Sequence, residues 1–182
     1  MKPNIYKYSF RHRDNDSVHW SPPLRGTLKI NVDAHLSSDG HWSTWLVLRR
    51  SDESAVGAAT RVHKGVADVV TGEAMVLNDA MDWVEKLGED KVIFELDSQI
   101  VVKAMKEKAK VRRGWGGVIR QCKLFLDDKP QANIVWVPRA ANKVAHELAK
   151  WAEHEPNRKW LNITPPCIWS LIQKDKSLIA SS

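Results

Sequence analysis

The stretch Lys29-Ile30-Asn31-Val32-Asp33 predicts a β-strand that ends in a carboxylate, because apolar and polar residues alternate along it. A second stretch, Val92-Ile93-Phe94-Glu95-Leu96-Asp97, predicts another strand with the same kind of ending. Between the two, Glu73 opens a helical run. Carboxylates at two strand ends and one helix start can converge at one edge of a sheet, where repulsion and burial disfavour their charged forms. A cation that prefers oxygen ligands, such as Mg²⁺ or Mn²⁺, relieves that repulsion, so the three acids predict a metal site.

The segments around these acids predict an α/β domain. Strands are expected at 29–33, 42–49, 55–63, 91–97 and 134–137, and helices at 71–88, 98–107, around 118–126 and at 142–153. Thr71 is expected to cap the first helix at its N-terminus and Gly88 at its C-terminus. An antiparallel meander followed by alternating helices and strands predicts a mixed sheet with helices packed on its faces.

The composition is typical of a globular, intracellular protein. Of the 182 residues, 43% are hydrophobic and 27% are charged, which suits one domain. No apolar stretch approaches the roughly 20 residues that cross a bilayer, and no secretory signal pattern opens the chain, so we expect no membrane association. The two cysteines favour free thiols in a reducing compartment, either the nucleus or the cytoplasm.

Residues 1–20 lack a hydrophobic period and predict a linker or flexible leader, so the folded domain is expected to span 21–182. Charge and aromatic content say less about function. The net charge of +6 is consistent with a polyanionic partner, but many basic domains bind none. The nine tryptophans are scattered, so we interpret most of them as packing residues rather than as a platform for stacking bases.

Four motifs in a fixed order carry a resemblance to a known family. They are Trp20-x-Pro22-Pro23 followed by the 29–33 strand, Glu73-Ala74, Glu95-Leu96-Asp97-Ser98, and Arg139-x-x-Asn142-x-x-Ala145-His146-x-Leu148-Ala149-Lys150. A weaker fifth motif runs from Trp160 to Asp175. With these motifs, residues 20 to 175 resemble the ribonuclease H family, and most closely its plant-type branch associated with reverse transcriptases.

The resemblance implies a fold and an activity. The fold is a five-stranded mixed sheet, an antiparallel meander followed by parallel strands, flanked by helices. The activity is that of a hydrolase, an endonuclease that cleaves the RNA strand of RNA–DNA hybrids with two Mg²⁺ or Mn²⁺ ions. We expect a monomer, derived from a retrotransposon polyprotein, whose nucleic-acid partner is the hybrid.

The resemblance also assigns the catalytic and metal-binding residues. Asp33, Glu73 and Asp97 match three of the four acids of the family's metal site, and Asp33 is expected to bridge both ions. The fourth position is His146, where many relatives have aspartate and the plant-type branch often has histidine. His146 could bind the second ion as a neutral imidazole or move a proton near neutral pH.

Five further residues are predicted to contact the substrate, and each has a structural alternative. Asn142 and Arg139 either touch the phosphate or sugar or form a turn and a helix cap. Ser98 either meets the substrate or caps the following helix. Arg112 and Arg113 end a basic run that begins at 103, and this run either binds phosphates or forms a solvated helix face. Trp115 favours a loop anchor over a stacking role.

One departure from the family pattern leaves competing interpretations open. The branch usually has a glycine-rich stretch on its second strand, where this chain has Ser43-Thr44-Trp45, so Trp45 is expected to narrow the approach of substrate. The chain is therefore expected to be an active nuclease, a nucleic-acid-binding module that has lost catalysis, or a protein-interaction domain. Proofreading exonucleases are disfavoured because His35 stands where they need a glutamate.

Overall fold

A mixed β-sheet with helices on both faces forms the centre of the protein. The computed structural model describes residues 10–11, 19–37, 39–65, 68–107, 111, 114–151 and 154–180. The strands are β1 (Phe10–Arg11), β2 (His19–Trp20), β3 (Leu28–Leu36), β4 (Trp42–Arg49), β5 (Ala55–His63), β6 (Val92–Leu96), β7 (Asn133–Trp136) and β8 (Lys159–Leu161). The helices are α1 (Val69–Leu87), α2 (Gln99–Lys106), α3 (Gly116–Asp128), α4 (Lys143–Trp151) and α5 (Pro166–Ala180), with a 3₁₀ turn at Arg139–Asn142.

The strand order confirms the predicted mixed topology. Within the described ranges, the main sheet has the order β7-β6-β3-β4-β5-β8, while β1 and β2 pair with each other. Strands β3, β4 and β5 form the antiparallel meander, and β6 and β7 continue from β3 in parallel. The sheet has six strands rather than the predicted five, because β8 adds to the outer edge of β5. A strand of three residues is too short for alternation to reveal it.

Two apolar layers cover the two faces of the sheet. Ile30 and Leu46 belong to the core beneath α1, α2 and α3, while Trp45 and Val47 belong to a core beneath α4 and α5. Neighbouring residues of β4 therefore face opposite sides, as a pleated strand requires. Trp45 is 0% exposed and packs with residues of α4 and α5 such as Leu148, so the expectation that it narrows the substrate approach is wrong.

The predicted N-cap of α1 is corrected, and the predicted C-cap is confirmed. The helix begins at Val69, and Asp68 caps it by accepting a hydrogen bond from the backbone N–H of Thr71 at 2.9 Å. Thr71 is therefore the third helical residue rather than the cap. Gly88 ends the helix in the left-handed region at φ 70°, which glycine adopts without strain.

No helix in the described part of the chain is long and apolar enough to cross a membrane. The boundary predicted at residue 20 stays a prediction, but Trp20 is 2% exposed and packs with the domain.

A close contact between α1 and β4 fixes the start of α1. A Cβ atom built on Gly72 would clash with the indole ring of Trp42, at a separation closer than real Cβ atoms approach. Trp42 is itself 2% exposed, so its ring has little room to move. Glycine at 72 therefore lets the helix turn that carries Glu73 pack directly on the sheet.

We expect Gly72→Ala to destabilise the protein despite the better helix propensity of alanine. Overpacking costs about 1–3 kcal/mol, whereas alanine gains only about 1 kcal/mol over glycine in a helix. The free energy of unfolding in urea measures the net loss. Gly117→Ala in α3 is the matched control, because nothing lies within 4 Å of its Cβ position. Equal stability of the two variants would contradict the packing argument.

Candidate metal centre

Three carboxylates meet where β3, β6 and α1 come together. One oxygen each of Asp33, Glu73 and Asp97 lies within 4.8 Å of the other two. Asp33 is on β3, and Asp97 follows the last residue of β6. Because β3 and β6 are parallel neighbours with Asn31 opposite Glu95, their next carboxylates emerge at the same edge of the sheet.

Burial and mutual repulsion disfavour the charged forms of these acids. Asp33 and Glu73 are 2% and 7% exposed, and Asp97 is half-buried. Burial, with the charges of Asp33 and Asp97 added, raises the pKa of Glu73 to about 9. Burial and the charge of Asp33 also raise the pKa of Asp97. Arg139 opposes both shifts through its positive charge.

The donor set fits a hard divalent cation. Oε2 of Glu73 is buried and accepts no hydrogen bond from any residue that the structure describes. A buried acceptor without a partner is unusual in folded proteins and calls for a partner from outside the chain. Three carboxylates at this spacing supply the oxygen ligands that Mg²⁺ and Mn²⁺ prefer. Asp33, Glu73 and Asp97 are thus the residues that could hold such an ion.

Asp33 also contacts the predicted fourth site residue. Its Oδ1 accepts a hydrogen bond from the backbone N–H of Ala34, and its Oδ2 lies 2.9 Å from Nδ1 of His146. The group of carboxylate oxygens within 4.8 Å of one another does not include a nitrogen of His146. His146 is therefore a neighbour of the carboxylate cluster through Asp33.

Arg139 contacts the same nitrogen of His146 that Asp33 contacts. Its Nη2 lies 2.9 Å from Nδ1 of His146, and a guanidinium can only donate. When Nδ1 accepts from Arg139 it carries no proton, so it cannot also donate to Asp33. The position of the ring proton, on Nδ1 or on Nε2, therefore decides which of the two neighbours Nδ1 binds. The sequence assigned Arg139 to the substrate and missed this contact, because the chain passes from a 3₁₀ turn into α4 between the two residues and no single helical period relates them.

The other predicted substrate residues lie in different surroundings. Asn142 is 1% exposed and donates to the carbonyl oxygen of Val32 at 2.8 Å, which holds the 3₁₀ turn against β3 beside Asp33. Ser98 occupies the N-cap of α2, but its side chain makes no capping hydrogen bond. Substrate contact by either residue stays a prediction.

Two further predictions concern the segment between α2 and α3. Arg112 and Arg113 lie outside the described residues. Trp115, at the N-cap of α3, is 5% exposed, which supports the expected role as a loop anchor.

The mixed sheet, the helices on both faces and the carboxylate cluster define a ribonuclease H-like domain. The family model described as reverse transcriptase-like matches residues 31–152, so the chain belongs to that family. This confirms the resemblance that the motifs indicated. A search of curated proteins by sequence found no match.

Solved structures of ribonucleases H share the fold. Ribonuclease H1 from the halophilic archaeon Halobacterium salinarum NRC-1 is 22% identical with a TM-score of 0.63, over 71% of this chain and 98% of that one. LC11-RNase H1, isolated from compost, is 18% identical with a TM-score of 0.64, over 71% and 97% of the two chains. The same protein in complex with an RNA/DNA hybrid is 18% identical with a TM-score of 0.59, over 67% and 93%. At these identities the likeness concerns the fold.

We expect the metal-free protein to lose stability as the pH rises. The folded state holds a proton on Glu73 up to about pH 9, whereas the unfolded chain releases it near 4.5, so the folded state binds more protons between these values. Stability is therefore greatest below pH 4.5 for this group and falls as the pH rises toward 9. In EDTA, the melting temperature should drop by at least about 5 °C between pH 5 and pH 9.

Glu73→Gln should remove most of this fall in melting temperature with rising pH, and it should stabilise the metal-free protein at pH 8. It should also abolish the stabilisation by Mn²⁺ that we expect in the wild type. Glu85→Gln, on the exposed side of α1, is the matched control and should leave both properties unchanged. A wild-type melting temperature independent of pH would contradict the argument.

Proposed function

We propose that this protein is a metal-dependent endonuclease that hydrolyses the RNA strand of RNA–DNA hybrids. The observation that carries the proposal is the cluster of Asp33, Glu73 and Asp97, with an unpartnered buried oxygen on Glu73, at the edge of a ribonuclease H-like sheet. The crystal structure of LC11-RNase H1 with an RNA/DNA hybrid supports this choice of substrate by its fold. The match to the reverse transcriptase-like family supports an origin in a retroelement.

Two ions would divide the site residues between them. Asp33, Glu73 and Asp97 would hold the first, and Asp33 with His146 would hold the second. When bound, such cations supply Lewis-acid stabilisation of the phosphodiester and a water molecule with a lowered pKa. Magnesium prefers oxygen to nitrogen, so a histidine in the fourth position favours manganese at the second ion.

Arg139 would bind a phosphate and His146 would hold a proton, both from the exposed side of the site. Arg139 is exposed, and its guanidinium suits the phosphate beside the scissile bond. Once Arg139 turns to the phosphate, Nδ1 of His146 is free to hold a proton against Asp33 Oδ2. Where the imidazole does not bind the second ion, it could instead deliver this proton to the departing 3′ oxygen. The products would carry 5′-phosphate and 3′-hydroxyl ends.

Basic side chains on α2 and α3 would bind the hybrid through its phosphates. Lys103 on α2 is 77% exposed, and Lys106 and Arg120 on α2 and α3 are also exposed. Phosphate binding by Arg112 and Arg113 stays a prediction from the sequence. Contacts of this kind weaken steeply as the salt concentration rises.

A second candidate function is nucleic-acid binding without cleavage. The observation that favours it is the engagement of both oxygens of Asp33, one by the backbone of Ala34 and the other by His146. A cation must displace or share the contact with His146, which weakens metal binding. Cleavage is the stronger candidate because Oε2 of Glu73 is buried and accepts no hydrogen bond from the described residues.

Incubation with end-labelled duplexes tests the proposal. With Mn²⁺, the wild type should cut the RNA strand of a hybrid and leave double-stranded DNA and double-stranded RNA intact. Asp33→Asn keeps the shape but removes the shared charge, so it should lower the cleavage rate at least about 10³-fold while binding of the hybrid persists. Binding without cleavage by the wild type would favour the second candidate. Neither binding nor cleavage would favour a protein-interaction domain.

His146→Asp should raise activity at low magnesium concentration. The variant restores a fourth carboxylate and removes an imidazole that competes for Asp33, so half-maximal cleavage should need roughly tenfold less Mg²⁺. His154→Asp adds the same charge at an exposed position after α4 and should change nothing. A loss of activity in His146→Asp would show instead that the imidazole acts in proton transfer.

A further inference from the structure

A buried polar network lies on the face of β3 that carries Asp33. Lys29, Asn31 and Asp33 alternate along the strand and therefore share this face. The hub on the neighbouring strand is Glu95, which is 0% exposed. Its Oε2 accepts a hydrogen bond from Nδ2 of Asn31 at 2.8 Å, and its Oε1 lies 2.8 Å from Nζ of Lys29.

The network continues through Arg49 to the C-terminal helix. Arg49 on β4 is 1% exposed and donates from Nη2 to Oδ1 of Asn31 at 3.2 Å. Its Nη1 donates to Oδ2 of Asp175 on α5 at 2.7 Å. Three strands and one helix are thus joined by charged and amide groups rather than by apolar packing.

The network also reaches the segment before β3. The indole ring of Trp20 lies 3.4 Å from the guanidinium carbon of Arg49, and Lys29 Nζ donates to the carbonyl oxygen of Ser21 at 2.6 Å. Trp20, Ser21 and Asp175 all lie outside the region 31–152 that matches the family model. Both flanks of that region are therefore connected to β3 and β6.

We propose that Glu95, Asn31 and Arg49 are positioning residues that set the separation of the metal-binding carboxylates, and that Trp20 and Asp175 complete them. The bond between Asn31 and Glu95 crosses from β3 to β6 two residues before Asp33 and Asp97, so it fixes the relative height of the two aspartates. Burying charges that apolar residues could replace is unfavourable for stability, and specification of a unique arrangement is the best-attested reason to retain them. A cation site tolerates only small errors in ligand position, so loosening the network should first become detectable as weaker metal binding.

Asp175 is the point at which the network can be tested without removing its centre. Its side chain is 19% exposed, whereas Glu95 and Lys29 are fully enclosed. Asp175→Asn leaves Arg49 buried with Glu95 as the next carboxylate to attract it. The guanidinium then competes with Asn31 for Glu95, which loosens the link between β3 and β6.

The experiment measures Mn²⁺ affinity by titration calorimetry on the full chain, together with cleavage of the hybrid. Asp175→Asn should remain folded by circular dichroism, bind Mn²⁺ roughly tenfold more weakly, and lower kcat without changing KM for the hybrid. Asp175→Glu, which keeps the charge, should recover most of the affinity. Asp90→Asn is the matched control, because it breaks a 2.6 Å ion pair with Lys129 before β6, at the other end of the strand from Asp97.

Each outcome decides the proposal. A lower melting temperature with unchanged Mn²⁺ affinity in Asp175→Asn would reduce the network to a purely structural role and overturn it. If Asp175→Asn does not fold, Trp20→Leu, which leaves no charge unpaired, should show the same loss of affinity, and normal affinity there overturns the proposal. The inference rests on the proposed function, but a wild type that binds Mn²⁺ without cleaving would refute only the nuclease, because the affinity ratio still tests positioning. A wild type that binds no Mn²⁺ would refute both.

Discussion

The repulsion among three buried carboxylates is the constraint on which the rest of the structure depends. The parallel register of β3 and β6 brings Asp33 and Asp97 to one edge, and the first part of α1 adds Glu73 beside them. Without a bound cation, the cluster keeps Glu73 protonated at pH values far above those at which a glutamate usually ionises. A fold that accepts this penalty must hold the three elements rigidly together. The contact of Gly72 with Trp42 and the bond between Asn31 and Glu95 are the devices that do so.

Positive charge from the last part of the domain balances the cluster. Arg139 opposes the rise in the pKa of Glu73 and of Asp97, and His146 contacts Asp33 directly. Both residues come from the 3₁₀ turn and α4, which Asn142 fastens to the carbonyl of Val32. The same segment that presents the fourth site residue therefore supplies the counter-charge of the metal-free site. A bound cation would replace the contact of His146 with Asp33, and a bound phosphate would replace its contact with Arg139. His146 is therefore the residue whose contacts both ligands would alter.

The two faces of the sheet are stabilised by different forces. Beneath α1, α2 and α3 the core is apolar, with Ile30, Val32 and Phe94 fully buried. On the other face, the apolar residues beneath α4 and α5 share the space with the charged network around Glu95 and Arg49. Hydrophobic burial is nondirectional and tolerates small displacements, whereas hydrogen-bonded charges fix particular distances. The directional interactions lie on the face that carries Asp33, where the separation of side chains matters most.

The sequence by itself determined the order of strands and helices from 28 to about 151, the family, and the identity of the three acids, because alternation, helical period and motif spacing are local properties. It missed β8 and α5, since three residues are too few to show a period and the Pro166 helix start was not recognised. It also assigned Trp45 to the substrate side, although α4 and α5 cover that ring on the face of the sheet that it shares with Asp33. Only the tertiary structure decided that Asn142 holds a strand and that Trp20 and Asp175 meet at Arg49. These contacts join residues far apart in the chain, and no local pattern encodes which distant partners a polar side chain will meet once the sheet has formed.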